Sequence, residues 1–306
     1  MQRWGTALLF TLFLLAACGV QRPAPAAFTV VAEFYPIYVE ALNVVGDTPG
    51  VRVVNLVPTT TGCPDDYQLR PGDLQTLSEA NVFVINGGGL EGYLDKVAAS
   101  CASLKIVNAS AGIEIIKIDG ETNPHVWVSP ALAATQTRTL ATALASADPV
   151  HAAIYQKNGE AYAAKLDALA ARLHENLATA PIRQMVAFHD SMPYLARDLG
   201  LTILAVMEPA PGQNPSPRDL ADVVGRVRAA AGPVALLTEI DSANPAAEII
   251  SRDLNQPLYH LDTVTGGPLD PAQAKDAYLA AMERNLAVLR EALGLDKNSA
   301  KTTANP

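Results

Sequence analysis

The sequence predicts an α/β protein of two lobes, each a parallel sheet flanked by helices, joined by one long backbone helix. Three observations carry this expectation. Short β-branched runs alternate with helical stretches from Phe28 to Ala109, and the same rhythm returns from Met185 to Asp262. The strand runs are continuous and apolar, as strands buried on both faces of a parallel sheet must be. Between the two cycles, residues 149–179 are rich in Ala, Leu, Lys and Glu, with Gly159 as the lone interior helix breaker.

The elements follow in order. "FTVVAEF" (Phe28 to Phe34) reads as a strand, followed by an apolar-periodic stretch to Val45. "VRVVNLV" (Val51 to Val57), "NVFVIN" (Asn81 to Asn86) and "LKIVNA" (Leu104 to Ala109) are the next strands. "DLQTLSEA" and "EGYLDKVAAS" supply the helices between them, so residues 28–148 form the first lobe. The 149–179 helix spans about 45 Å at 1.5 Å per residue. A continuous helix bends far less than extended linkers do, which restricts hinge motion between the lobes. The second lobe, residues 180–294, uses "MVAFHD", "LTILAVM", "VALLTEI" and "PLYHLD" as strands and ends in an amphipathic helix from Pro271 to Leu293. Residues 295–306 read as a frayed tail.

The first residues read as targeting signal, not fold. Arg3 precedes the apolar run "TALLFTLFLLAA" (Thr6 to Ala17), of secretory-signal length and too short to span a bilayer. Leu15-Ala16-Ala17-Cys18 resembles a bacterial lipobox, so residues 1–17 are expected to be removed and Cys18 to carry lipid. An ordinary signal peptide without lipid is the alternative. Residues 18–27 form a Pro/Ala-rich tether. The expected location is extracytoplasmic, with a lipid anchor in the membrane.

Hydrophobic residues at 49% and charged residues at 17% exclude a disordered chain. A net charge of −9 without a basic block argues against nucleic acid and suits a cationic ligand. With Cys18 committed to lipid, Cys63 and Cys101 remain. In an oxidising compartment a disulfide between them is the default. A Cys63 thiolate on a metal and two free thiols are the other readings.

"TNPHVWVSP" places His125 between Pro124 and an apolar triplet, in a chain with five histidines. A rigidly held imidazole there is either a metal ligand or a satisfied core residue. Read with "GCPDDYQLRPGDLQTLSEANVFVINGGGLE", "FHDSMPYLARDLGL" and "EPAPGQNPSPRDL" in series, it resembles the zinc- and manganese-binding lipoproteins that serve bacterial ABC importers. The resemblance covers nearly all of the expected mature chain. It implies a receptor, not an enzyme, that holds one divalent ion between its lobes and delivers it to a membrane permease. It also implies four ligands: His125, His189 after the first strand of the second lobe, Asp262 after the last strand, and the position held by Asp65. The family pattern there is Pro-His-x-Tyr, whereas this chain reads Pro64-Asp65-Asp66-Tyr67. A carboxylate can replace an imidazole on zinc, manganese or iron. Asp66, Cys63 or Glu239 are the reserves.

Asp190 is expected either to orient a ligand ring or to cap the next helix. Tyr67 and Trp127 are expected to pack the floor between the lobes. Glu208 reads as a loop-fixing acid, and His151, His174 and His260 as structural or surface residues. Two imidazoles favour Zn2+ over Mn2+, although "GIEIIKIDGET" lacks the His-rich loop of many zinc-specific members. The chain is expected to be monomeric. Three other readings stand beside this one. A metallohydrolase needs an open coordination position and a general base, and no H-E-x-x-H-like motif supplies them. A siderophore or cobalamin receptor of the same fold needs arginines and aromatics in its cleft, yet aromatics are only 6%. A paralogue with an adhesin or scaffold role is the third, on account of Asp65.

Overall fold

The computed structural model describes residues 28–61, 64, 67–118, 120–207, 215–240 and 244–296. The signal segment, Cys18 and the tether lie outside them, as do Cys63, Asp65, Asp66, Glu208 and the tail from residue 297. None of the described helices is long and apolar enough to cross a membrane.

The first lobe runs β1 (Phe28–Ala32), α1 (Tyr35–Val45), β2 (Val51–Asn55), α2 (Pro71–Ser78), β3 (Val82–Ile85), α3 (Leu94–Ser100) and β4 (Lys105–Asn108). Its strands are parallel throughout, in the order β2-β1-β3-β4. A small antiparallel hairpin, β5 (Lys117–Ile118) and β6 (Glu121–Thr122), leads to a 3-10 turn at Val126–Val128. Two long helices follow, α4 (Pro130–Ala147) and α5 (Ala152–Leu177). The second lobe runs β7 (Gln184–Ala187), α6 (Pro193–Asp198), β8 (Thr202–Val206), α7 (Pro217–Ala229), β9 (Val234–Glu239), α8 (Pro245–Leu254) and β10 (Leu258–Leu261). It closes with α9 (Pro271–Ala274) and α10 (Ala277–Ala292).

The second sheet is also parallel, in the order β10-β9-β7-β8. Both lobes therefore share one plan: the first strand has the second on one side and the third, then the fourth, on the other. Strand order reverses beside β1 and beside β7. In such sheets the reversal opens a crevice at the carboxyl ends of the strands, where ligands bind.

Alternation along β1 explains the layering. Val30 and Ala32 point into a core shared with Met185, Ala187 and Leu237 of the second lobe, while Val31 joins Leu77, Phe83 and Val97 on the outer face. The shared core also takes Tyr155, Tyr162, Leu166, Leu169, Leu173 and Leu177, the buried stripe of α5 at helical spacing. Thus α5 does join the lobes, but it does so as half of a helical pair. The helix α4, absent from the sequence reading, lies along it. Ser129 Oγ accepts from the Leu132 amide and Pro130 occupies the first turn, which together start α4. Arg138 of α4 then reaches both Glu160 (3.0 Å) and Asp167 (2.7 Å) of α5.

One further expectation is corrected. The last helix is broken at Lys275 and Asp276, where the Lys275 carbonyl accepts from Asn43 Nδ2 of α1 at 2.9 Å. Cys101 is a free, buried thiol, and Cys63, its expected disulfide partner, lies outside the described residues. The Cys101 sulfur sits in the outer apolar cluster with Leu77, Phe83 and Val97, 4.0 Å from the Leu74 carbonyl.

Candidate metal centre

The segment carrying His125 is shaped by its neighbours before the imidazole is considered. Asn123 closes an Asx turn: its Oδ1 accepts from the His125 amide at 2.9 Å. Below it pass Gly87, Gly88 and Gly89, all with positive φ. A Cβ on Gly88 would lie 3.0 Å from Pro124 Cα, and one on Gly89 would lie 2.7 Å from Thr122 Oγ1. Asn86 Nδ2 donates to the Pro124 carbonyl at 2.8 Å. The glycines thus let the floor of the first lobe approach the histidine loop closely. Trp127, fully buried, packs edge-on to Phe34.

His189 and Asp190 extend beyond the end of β7, beside the strand-order reversal of the second sheet. There they meet His125. The two imidazole rings lie 4.9 Å apart and nearly perpendicular. Asp190 Oδ1 is 3.2 Å from His125 Nδ1 and 3.6 Å from His189 Nδ1. His125 Nδ1 also lies 3.2 Å from Asn123 Oδ1, and Asn123 Nδ2 donates to the Asp190 carbonyl at 2.6 Å. Ligand atoms of His125, His189 and Asp190 all fall within 4.8 Å of one another, the set of that kind among the described residues.

His125 Nδ1 thus faces two oxygen acceptors, an arrangement that would place the proton of its neutral tautomer at Nδ1 and leave the Nε2 lone pair for a ligand. Asp190 Oδ1 faces Nδ1 of both rings, and α6 begins after Met192 without a side-chain cap. Asn123 is the residue that sequence reading missed. Its signal was an Asn two positions before a histidine, the spacing of an Asx turn.

The remaining candidates stand apart from this trio. Asp262 follows β10 and lines a cleft of about 510 Å³ opposite Thr59, Thr60 and Thr61. Its Oδ1 accepts from the Val264 amide at 2.9 Å and its Oδ2 from Arg284 Nη2 at 2.8 Å. Glu239 ends β9 beside Leu261 and is buried. Tyr67 and Trp127 both belong to the shared core, and the Tyr67 hydroxyl donates to Asp73 Oδ2 at 2.7 Å. Cys63, Asp65 and Asp66 lie outside the described residues, and the Tyr67 amide donates to the Pro64 carbonyl at 2.8 Å. Gly266 brings the facing loop close, since a Cβ there would lie 2.7 Å from the Thr59 carbonyl.

At the strand reversal of the first sheet sits Glu33, buried and accepting from the Asn86 amide and the Tyr93 hydroxyl. Burial, and then the neighbouring Glu91 carboxylate, hold its carboxyl well above the usual range. It is a buried acid of the first lobe and not part of the trio.

Two imidazoles and a carboxylate converging at a sheet's carboxyl end are a donor set for a divalent transition ion. Comparison with known proteins agrees. Residues 30–292 match the family model of the periplasmic zinc-uptake complex component A. The chain belongs to that family. The family is a metal-transport component rather than an enzyme family. The high-affinity zinc uptake system protein ZnuA of Bacillus subtilis is 26% identical, across 95% of this chain and 98% of its own. The iron-binding protein YfeA of Yersinia pestis is 31% identical, across 78% of this chain and 79% of its own. Among solved structures, FpvC of Pseudomonas aeruginosa in complex with Mn2+ superposes with a TM-score of 0.77. It is 30% identical and covers 87% of this chain and 98% of its own.

Proposed function

We propose that this protein is the extracytoplasmic receptor of an ABC importer, capturing one divalent metal ion and delivering it to a membrane permease. The observation that carries the reading is the meeting of His125 from the first lobe with His189 from the second, bridged by Asp190. His125 and His189 would bind through Nε2, with Asp262 supplying a carboxylate from the cleft wall. Asp65 would complete the set from the facing loop, with Asp66, Cys63 and Glu239 in reserve. Zinc is favoured over manganese, because imidazole nitrogen suits zinc and the general order of divalent affinities places it higher. Carboxylates at Asp65 and Asp262 favour the second reading, a manganese or iron receptor, and the relatives include proteins named for zinc and for iron. Cys18 would tether the chain to the membrane through lipid, and the receptor would act as a monomer.

The test is metal content of the chain lacking its signal segment, followed by competitive titration with zinc and manganese. Wild type should hold one ion, bound more tightly when it is zinc, and His125→Ala and His189→Ala should each weaken it by at least tenfold. Asp65→Ala should weaken it less, through loss of one oxygen donor. Absence of a tightly held ion in the wild type would end the receptor reading; a manganese preference would replace zinc as the cargo.

A further inference from the structure

Asp262 is held from three directions, and only one of them is exchangeable. Asn285 of α10 grips its backbone on both sides: Oδ1 accepts from the Asp262 amide at 2.9 Å and Nδ2 donates to its carbonyl at 2.8 Å. Carboxylate Oδ1 is committed to the Val264 amide at 2.9 Å. That bond closes a loop in which Val264, β-branched and buried, takes a φ of 61°, a conformation such residues rarely adopt. Oδ2 alone is held by a side chain that can leave, Arg284, the residue next to Asn285. The guanidinium is 2.8 Å away and 64% exposed. Backbone and Oδ1 fix where Asp262 stands, while Oδ2 stays available to whichever cation reaches it.

We propose that Arg284 is a resident counter-ion that competes with the cargo metal for Asp262 Oδ2, and so sets the affinity and release rate of the site. This rests on Asp262 being a ligand, as proposed above. A guanidinium and a divalent ion cannot both draw fully on one carboxylate oxygen, and their charges repel. Binding therefore displaces Arg284 toward solvent. On release Arg284 returns, so Asp262 is never left as an uncompensated carboxylate in the cleft wall. Because the guanidinium is largely exposed, the competition is mild, of the size of an exposed ion pair. Such a term suits a receptor that must surrender its cargo, since it weakens the bound state without removing a ligand.

The experiment is zinc titration against a chromophoric chelator, with dissociation followed after a chelator challenge, on wild type, Arg284→Gln, Asp262→Asn and the double variant. Circular dichroism melting of each confirms that it folds. Arg284→Gln should tighten zinc by about two- to fivefold and slow its release correspondingly. The same change on the Asp262→Asn background should do nothing. If Asp262→Asn weakens binding while Arg284→Gln leaves it unchanged or weaker, Arg284 is no competitor and the ligand reading survives without it. Equal tightening on both backgrounds would mean a long-range charge effect and overturn the competition. An Asp262→Asn variant that binds as wild type would remove Asp262 as a ligand, and this proposal with it.

Discussion

Asp190 lies between two imidazoles without being the residue that motif reading would put first. Its Oδ1 faces Nδ1 of both rings, and Asn123 fastens its backbone. Replacing the carboxylate by an amide keeps the shape but removes the charge that fixes the tautomer. Asp190→Asn should therefore lower zinc affinity by about 10- to 100-fold, the usual cost of losing an orienting acceptor; competition titration reads it. An unchanged affinity would reduce Asp190 to a bystander. Glu40 poses a different single-residue question. It is buried on α1, neither carboxylate oxygen has a hydrogen-bond partner among the described residues, and burial raises its pKa well above the ordinary value. Above about pH 4.3 the unfolded chain releases this proton while the folded chain keeps it. Stability from this group is thus full at acid pH and declines as pH rises toward the folded pKa. Glu40→Gln cannot ionise in either state. Its melting temperature relative to wild type should rise between pH 5 and pH 8, and a difference that stays constant would show that Glu40 is not a neutral acid. Glu33 contributes a slope of the same sign to both proteins and cancels in the comparison.

Elements raise the matter of what could be read in advance. Seven of the eight strands of the two parallel sheets have both ends within two residues of their sequence-derived positions, because continuous apolar runs bounded by polar turns have one solution in a parallel sheet, while β7 stops at Ala187, three residues short of Asp190. The helix α4 was not legible. "PALAATQTRTLATALASA" is rich in Ala and Thr, and what makes it a helix in place is its seat against α5. Nor was the break between α9 and α10, which is met by Asn43, 232 residues away. The site divides in the same way. His125 and His189 were legible from their motifs, whereas the Asn123–Asp190 link joins residues 67 positions apart and needed the fold. Gly159 shows how packing can invert a local rule. In an isolated helix Gly→Ala gains about 1 kcal/mol. Here a Cβ would come 2.4 Å from the Ala141 Cβ, so α4 and α5 would have to separate. Gly159→Ala should instead destabilise by about 1–3 kcal/mol, seen as a lower denaturation midpoint. A stabilised variant would mean that the helix pair is loosely seated.

Across the whole molecule, the segment from Asn123 to Ser129 belongs to the first lobe by sequence but bonds to the second as well as to the first. Tyr194 donates to the Asn123 carbonyl at 2.7 Å, Trp127 Nε1 to the Thr263 carbonyl at 2.9 Å, and Tyr278 to the Trp127 carbonyl at 2.6 Å. Ser129 also bonds Asp198 of α6. These bonds attach His125 to the same body as His189. The shared core reinforces this, since residues of β1 and β7 pack into one apolar cluster around α5. Neither lobe can unfold without exposing the other's interior. Calorimetry should accordingly show one unfolding transition, with calorimetric and van't Hoff enthalpies in agreement. Free zinc at 100 times its dissociation constant adds about 2.7 kcal/mol to the folded state, which for a chain of this size should move that single peak upward by about 5–10 °C. Two transitions, with zinc shifting only one of them, would mean that the lobes are independent and that the bonds through Trp127 and Tyr194 do not couple them. A single shifted transition would make the shared core, rather than the hinge, the feature that governs how this receptor takes up its ion.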